Sequence, residues 1–349
     1  MGYQLGLMQK ESHNMESKKT VLLTGANGLL GNHIIRELLL RNYSVVAFIE
    51  KGTDLGTLSG LSDINFVSGN ILNRDEVLSA AANCDYIIHA AACTAVIPAR
   101  AQFINDVNIS GTQNIINAAL THSVKKLIYV GSANTFGYGS MKNPGNETKP
   151  FCGDKFGLDY IDSKFQAHQR VLNAVKYNNL PAVIVCPTFM LGKYDSRPGS
   201  GAMVVSVHSE KLPGYSTGGR NYVYVADVAV AIVNSIELGK IGESYILGNK
   251  NMDYKTAFGL IAKTIGAKAP AVKMPKFVVL GYGALCSVVS SVLKKQMPVN
   301  FQMARIANEG FYYDCSKAVT ELRMPQTQIE VAISECYSWL KKQNLLIKK

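Results

Sequence analysis

Eight residues, Thr24-Gly25-Ala26-Asn27-Gly28-Leu29-Leu30-Gly31, constrain this chain more than any other stretch. The apolar run Thr20-Val21-Leu22-Leu23 before them reads as a short buried strand. Residues 32–40 after them place apolar side chains at helical spacing. The unit is therefore strand, glycine-rich turn, helix. Gly25 permits the tight turn, Gly28 lets a pyrophosphate approach the backbone, and Gly31 lets the helix close on the strand. The first-turn amides near Leu29 and Leu30 then point at phosphate oxygens, helped by the helix dipole. With Asn27 inside the turn, the spacing points to a dinucleotide site.

Strands and helices alternate over the residues that follow. Runs at 44–49, 64–68, 85–89, 126–130 and 182–186 read as strands. Helices are expected at 74–82, with Asn73 as its cap, and at about 103–120. This alternation predicts an α/β fold, a doubly wound parallel sheet of the Rossmann type. Glu50 ends the second strand, where an acidic side chain holds the adenosine ribose. A carboxylate there repels a 2′-phosphate, by about 4 kcal/mol per charge pair at 4 Å and an effective dielectric near 20. NAD is thus expected over NADP, with Lys51 offsetting part of the preference. Asn70 and Ile71 follow the third strand, and small Ala90, Ala91 and Ala92 follow the fourth, leaving room for a cofactor. His89 reads as a packed structural histidine.

Chemistry enters with Ser132 at the end of the fifth strand and Tyr160 and Lys164 on the next helix. Four residues apart, Tyr160 and Lys164 share a helix face. Only about 0.1% of an ordinary phenol, pKa near 10, is ionised at pH 7, and a three-unit drop needs roughly 4 kcal/mol. The Lys164 ammonium and an oxidised nicotinamide are two positive charges expected to supply it. Tyr160 then exchanges a proton with a substrate alcohol while the nicotinamide exchanges a hydride. Ser132 holds the substrate oxygen, and Lys164 the nicotinamide ribose.

The chain resembles an extended short-chain dehydrogenase/reductase of the NAD-dependent epimerase/dehydratase superfamily. The likeness rests on residues 24–31, His89-Ala90-Ala91-Ala92, Asn108 with Gly111-Thr112, Ser132, Tyr160 with Lys164, Pro187, and the stretches 223–229 and 243–248. It runs from about residue 18 to 345 and is nearest the branch of dihydroflavonol 4-reductases, 3β-hydroxysteroid dehydrogenases and hopanoid-associated sugar epimerase-like proteins. The resemblance implies a Ser/Tyr/Lys catalytic set and a bound dinucleotide contacted also by Asn108 and Pro187. It further implies a C-terminal substrate lobe and a homodimer paired through helices of the sheet domain. Reductases of this branch often carry arginine where Glu50 stands, and an acidic residue is common where Asn70 stands. Ala133-Asn134 after Ser132 replaces the Asp-Glu pair of the 4,6-dehydratases. Cys93, Asn134, Phe189 and Met190 are expected to face the substrate, giving a fairly apolar pocket.

The expected organisation is a Rossmann domain at 18–190, with a strand and helix returning near 221–250, and a smaller α+β substrate lobe at 191–345. Residues 1–17 read as a flexible extension, with Met15 a second candidate start. The loop 136–156, holding Glu147, reads as a lid or pocket wall. Residues 221–228 read as a short strand leading into a helix capped by Asp227 or a neighbour, and 328–342 reads as an amphipathic surface helix. Net charge is +11, but the cations read as scattered, and no nucleic-acid signature accompanies them. Seven cysteines at unrelated spacings fit free thiols in a cytoplasm, and no cluster has metal-ligand spacing. No run reaches spanning length free of polar residues. The apolar stretch 277–293, flanked by Lys276, Lys294 and Lys295, reads first as a buried or pocket-lining helix. Its alternative is a helix making peripheral membrane contact. The expected function is NAD(H)-dependent interconversion of a secondary alcohol and a ketone, or reduction of an aldehyde. The alternative is a nucleotide-sugar epimerase with tightly held NAD, which needs Arg197, Arg220 or Arg305 for a diphosphate. A non-catalytic NAD-sensing protein is the third reading, disfavoured by the intact Ser132, Tyr160 and Lys164.

Overall fold

The computed structural model describes residues 18–196, 198–294, 297 and 299–346. Residues 1–17, Arg197 and Lys295 lie outside the described residues. In chain order the elements begin β1 (Thr20–Thr24), α1 (Leu29–Leu40), β2 (Ser44–Ile49), β3 (Ile64–Ser68), α2 (Arg74–Ala81) and β4 (Tyr86–His89). Next come α3 (Gln102–Asn105), α4 (Gly111–Thr121), β5 (Lys126–Val130), α5 (Asp159–Asn178), β6 (Ala182–Pro187), β7 (Phe189–Leu191) and α6 (Ala202–His208). Then follow β8 (Gly219–Tyr224), α7 (Val225–Leu238), β9 (Ser244–Leu247), β10 (Lys250–Asp253), α8 (Tyr254–Ile265) and α9 (Lys276–Leu293). The chain closes with α10 (Phe301–Ala307), β11 (Gly310–Phe311), α11 (Ser316–Glu321) and α12 (Ile329–Lys342).

Seven parallel strands form the main sheet in the order β3-β2-β1-β4-β5-β6-β9. Its central strands are buried on both faces, which is why they read as continuous apolar runs. One face packs with α1, α7 and residues Ala318 and Leu322 of the α11 region. The opposite face packs with α2, α4 and α5. The strand order reverses between β1 and β4, and ligands of such sheets bind in the crevice at that reversal, beyond the carboxyl ends. A four-stranded second sheet is built around β8, which pairs with β10 antiparallel and with β7 and β11 in parallel. It shares a smaller core with α6, α8 and α12. The doubly wound sheet and the smaller α+β part are both present. Elements α7, β9 and α11 return from the second half of the chain to the main sheet.

Several local expectations need correction. The helix expected at 103–120 is present as a continuous helical run over 102–121, but it carries a π-turn over Asp106–Ser110. Such an inserted residue re-aims side chains, and π-turns cluster at functional sites. Asn73 does cap α2, its side chain accepting from the amides of Asp75 and Glu76, an arrangement worth about 1 kcal/mol. Asp227 does not cap α7. It stands in the first turn, and its carboxylate accepts from the Thr327 amide and hydroxyl at 2.7 and 2.8 Å. The loop 136–156 is tied to the body of the protein at both ends of its tip. The amides of Gly139 and Gly145 both donate to the Tyr312 carbonyl, and Glu147 accepts from the Ile246 amide at 2.8 Å.

Of the two expectations for 277–293, burial is overturned, while Ser287, Ser290 and Ser291 do line a cavity. On α9 only Gly283 and Cys286 are buried, while Phe277, Leu285 and Val292 are 75%, 61% and 73% exposed. By length and composition α9 is also apolar enough to cross a membrane, contrary to expectation. All seven cysteines are free thiols.

Candidate active site

The glycine-rich turn sits at the carboxyl end of β1, against the segment that follows β4. Gly25 has φ +72°, and a Cβ there would stand 2.7 Å from the Ala91 amide nitrogen. A Cβ on Gly31 would stand 2.1 Å from the Gly25 carbonyl, so only glycine lets α1 approach this closely. Gly28 differs: a Cβ on it would meet only the Gly25 oxygen at 3.4 Å, leaving its outer side open. It is also the N-cap of α1 and provides no side-chain cap. The first-turn amides of Leu29 and Leu30 are thus left for an outside acceptor. The surface that a side chain would fill is a cradle fitted to a pyrophosphate, and the residues present fit a dinucleotide.

Thr24 ties this turn to β4. Its hydroxyl accepts from the Ala91 amide at 3.1 Å and lies 2.8 Å from His89 Nδ1. The Thr112 hydroxyl donates to the Asn108 carbonyl and lies 3.0 Å from His89 Nε2. The network is satisfied when Nε2 carries the proton, donating to Thr112, and Nδ1 accepts from Thr24. Burial, then the Lys164 charge, lowers the His89 pKa to about 3. His89 is a neutral structural bridge. Glu50 is exposed at the end of β2. The Asn70 side chain accepts from the Leu72 amide, and Ile71 packs on Gly111. Ala90, Ala91 and Ala92 are half-buried and Pro187 is buried.

Asn108 is spent inside the protein. Its amide accepts from the Cys93 N–H at 2.7 Å and donates to the Cys93 carbonyl and the Ser163 hydroxyl, at 3.0 and 2.9 Å. Both donors are used, so the expected direct cofactor contact gives way to a positioning role. Asn108 fixes the backbone at Cys93 and clamps it to α5. The start of α5 is held from its other side. Arg100 pairs with Asp159 and Asp162, and the second Asp159 oxygen accepts from the Ala101 amide. Both carboxylates lie in the first turn, where the helix dipole favours them.

The expected trio converges in part. Ser132 leaves β5 in extended conformation, and its hydroxyl accepts from the Asn134 amide at 3.3 Å. The Tyr160 phenol lies within reach of the Ser132 hydroxyl. Burial raises the Tyr160 pKa, outweighing the lowering by the nearby Ser132 hydroxyl and the Arg220 charge. Lys164 turns away into the sheet. Its ammonium donates to the Val130 carbonyl at 2.7 Å and lies 4.9 Å from the centre of the Tyr129 ring. Burial lowers its pKa to about 8. The expected depression of the phenol by Lys164 is therefore not found; the cation that acts on Tyr160 here is Arg220.

Arg220 was legible only as a possible diphosphate ligand. Strand alternation places Arg220 and Tyr222 on one face of β8, opposite Phe189 of β7. The guanidinium lies 4.8 Å from the Phe311 ring and 6.0 Å from the Phe189 ring, with the Tyr254 phenol nearby. No carboxylate pairs with it among the described residues. Phe189 and Met190 cannot both face one pocket, because successive strand residues point to opposite sides. Phe189 shares the Arg220 face, while Met190 packs against the main core. Cys93 and Asn134 are half-buried. Arg305 lies 6.0 Å from the Phe156 ring.

Residues 21–248 match the model of the NAD dependent epimerase/dehydratase family. A putative dihydroflavonol 4-reductase of Synechocystis is 26% identical over 322 residues, covering 91% of this chain and 93% of that protein. The decarboxylating sterol-4-alpha-carboxylate 3-dehydrogenase of Candida albicans is 26% identical over 352 residues, covering 93% and 98%. The crystal structure of gox2253 superimposes with a TM-score of 0.83 at 27% identity, covering 95% of this chain and all of that one. With the fold and the cradle in agreement, this chain belongs to the NAD dependent epimerase/dehydratase family, in its extended short-chain dehydrogenase/reductase branch.

Proposed function

We propose that the protein is an NAD(H)-dependent oxidoreductase that interconverts a secondary alcohol and a ketone, or reduces an aldehyde, with Tyr160 as general acid and base. The carrying observation is the placement of Tyr160 beside Ser132 at the tip of β5, at the carboxyl edge of the sheet that holds the glycine cradle. A nicotinamide bound there supplies or accepts the hydride at the substrate carbon. In reduction Tyr160 gives its proton to the carbonyl oxygen as that oxygen gains charge. The phenolate left behind is stabilised by the nearby Ser132 hydroxyl and the Arg220 guanidinium. Oxidation runs the proton the other way. Lys164 spends one of its three N–H donors on the Val130 carbonyl and keeps two for a nicotinamide ribose, and Asn108 and the Arg100 clamp position the helix that carries Tyr160. The reductase and dehydrogenase names of the relatives support this reading.

One observation favours a second reading. Arg220, unpaired and close enough to act on Tyr160, suits an anionic group on the substrate, and a nucleotide-sugar epimerase would present a diphosphate. The two readings separate on free nucleotide. An oxidoreductase consumes added NADH with a carbonyl substrate, followed by loss of the reduced-nicotinamide absorbance. An epimerase emerges from purification with NAD that does not exchange, and consumes none. The screen runs hydroxysteroids, flavonoid-like ketones, aldehydes and UDP-sugars.

The same preparation tests the cofactor preference. Glu50 stands exposed at the ribose-binding end of β2, and a 2′-phosphate near it costs about 1 kcal/mol even at the dielectric of water. NADH is expected to raise the melting temperature more than NADPH, with at least about fivefold tighter binding. Glu50→Ala is expected to narrow the gap. A larger shift with NADPH would overturn the assignment.

A further inference from the structure

The outward face of α9 has the wrong polarity for water. Phe277, Tyr282, Leu285, Val288, Val292 and Leu293 are all more than half exposed. The face turned to the protein is made of small residues instead. A Cβ on Gly283 would lie 2.5 Å from the Ala304 side chain of α10, and Cys286 is buried. Ser287 accepts from the Phe301 amide at 2.9 Å. Small side chains inward and large apolar ones outward is the inverse of a soluble surface helix and the pattern of helices that face lipid.

Charge identifies the occupant. Residues 254–308 contain seven lysines, one arginine and no aspartate or glutamate, so eight of the chain's eleven excess positive charges fall in this segment. The cations that read as scattered are concentrated in the segment that carries the apolar face. Lys273 and Lys276 precede α9 or open it, and Lys294 is its C-cap. A second copy of this chain would bring the same cations together, whereas an anionic lipid surface complements them. At about 1.5 Å per residue, the 18-residue helix is long enough to span. Its packing on α10 lays it along the body of the protein instead.

We propose that α9 seats its outward face in the interface of a membrane leaflet rich in anionic lipid, with Lys273, Lys276 and Lys294 at the headgroups. A cavity of about 460 Å³ runs beside the helix, lined by Ile97, Pro98, Ser287, Ser290, Lys294 and Asn300. Its wall at Ala99 accepts the amide of Asp159, the residue before Tyr160. The seat therefore brings lipid beside the segment that anchors the start of α5, and a substrate that partitions into membrane fits it. That last clause rests on the oxidoreductase reading; the docking does not.

The test is sedimentation of the full chain with vesicles, which reads no turnover. The protein is expected to pellet with vesicles of equal parts phosphatidylcholine and phosphatidylglycerol, and far less with phosphatidylcholine alone. Leu285→Asp is expected to weaken partitioning by about tenfold or more, as is the double change Lys273→Glu with Lys276→Glu. Both variants should keep the wild-type melting temperature and full turnover of a water-soluble substrate. Phe277→Trp gives a second readout, a blue shift of fluorescence on adding the anionic vesicles. Protein that stays in the supernatant with anionic vesicles overturns the proposal. So does a lipid-free dimer that Leu285→Asp converts to monomer without any vesicle binding by the wild type. If vesicles bind but no carbonyl substrate is reduced, the docking stands and the oxidoreductase reading falls.

Discussion

Tyr160→Phe is expected to lower turnover by about 10²–10⁴-fold, the range for removing a positioned general acid. Nucleotide binding should survive. The side chain is half-buried and the change removes only the hydroxyl, while the Ser132 oxygen keeps its bond from the Asn134 amide. The expected loss is in kcat, with the NADH-induced melting shift preserved. The pH dependence has a definite sign. Burial raises the Tyr160 pKa above the ordinary value of 10.0, so the phenol carries its proton throughout the neutral range. Reduction, which consumes that proton, should be flat there. Oxidation, which needs the phenolate, should rise with pH. Both dependences should vanish in the Phe variant. Turnover within tenfold of wild type would remove Tyr160 from the chemistry.

Lys164→Met is expected to lower activity and weaken nucleotide binding without lowering stability at pH 7. The ammonium is 4% exposed and its pKa falls from the ordinary 10.5 to about 8. That gap corresponds to about 3 kcal/mol against folding. The sign follows from the order of the two values. Below pH 8 both folded and unfolded chains carry the charge, and the full penalty applies. Between about 8 and 10.5 the folded chain sheds its proton first, so wild-type stability rises with pH and the penalty disappears. Methionine avoids the penalty but leaves the Val130 carbonyl, now paired at 2.7 Å, without its donor, a cost of about 1–3 kcal/mol. The expected net at pH 7 is between no change and a gain of about 2 kcal/mol in urea titration. The gain should be gone above pH 10. A variant that unfolds at pH 7 would mean that the charge itself holds the fold together.

A residue that costs stability while serving the site marks where the sequence was and was not readable. The cradle was legible because its glycines answer to sterics a reader can work out. A Cβ on Gly31 would stand 2.1 Å from the Gly25 carbonyl oxygen, and no other residue type fits. The sheet was legible because its central strands are buried on both faces and so carry unbroken apolar runs. Orientation was harder. Tyr160 and Lys164 do share a helix, but spacing did not reveal that the Val130 carbonyl would draw the ammonium into the sheet. Nor did it show that Arg220, sixty residues later, would take over as the cation acting on the phenol. The role of Asn108 was hidden for the same reason: its partners Cys93 and Ser163 come from two other segments. The α9 stretch was misread because its apolar content is the same whether it faces core or lipid. The signal lay in residue size, since Gly283, Cys286, Ser287 and Ser290 form a small stripe at helical spacing. A helix that turns such a stripe to the protein must turn its large residues away.

The account stands on a hydride passing from a free, exchangeable nicotinamide to a substrate carbon while Tyr160 supplies the proton. The most direct measurement is turnover with NADH deuterated on the transferring face of the ring, followed by mass analysis of substrate and product. One deuterium should appear on the product carbinol carbon, added nucleotide should be consumed in equal amount, and Tyr160→Phe should slow the transfer. Product without the label, formed while added NADH stays intact and purified protein retains its own NAD, would contradict the account and leave the epimerase reading in its place.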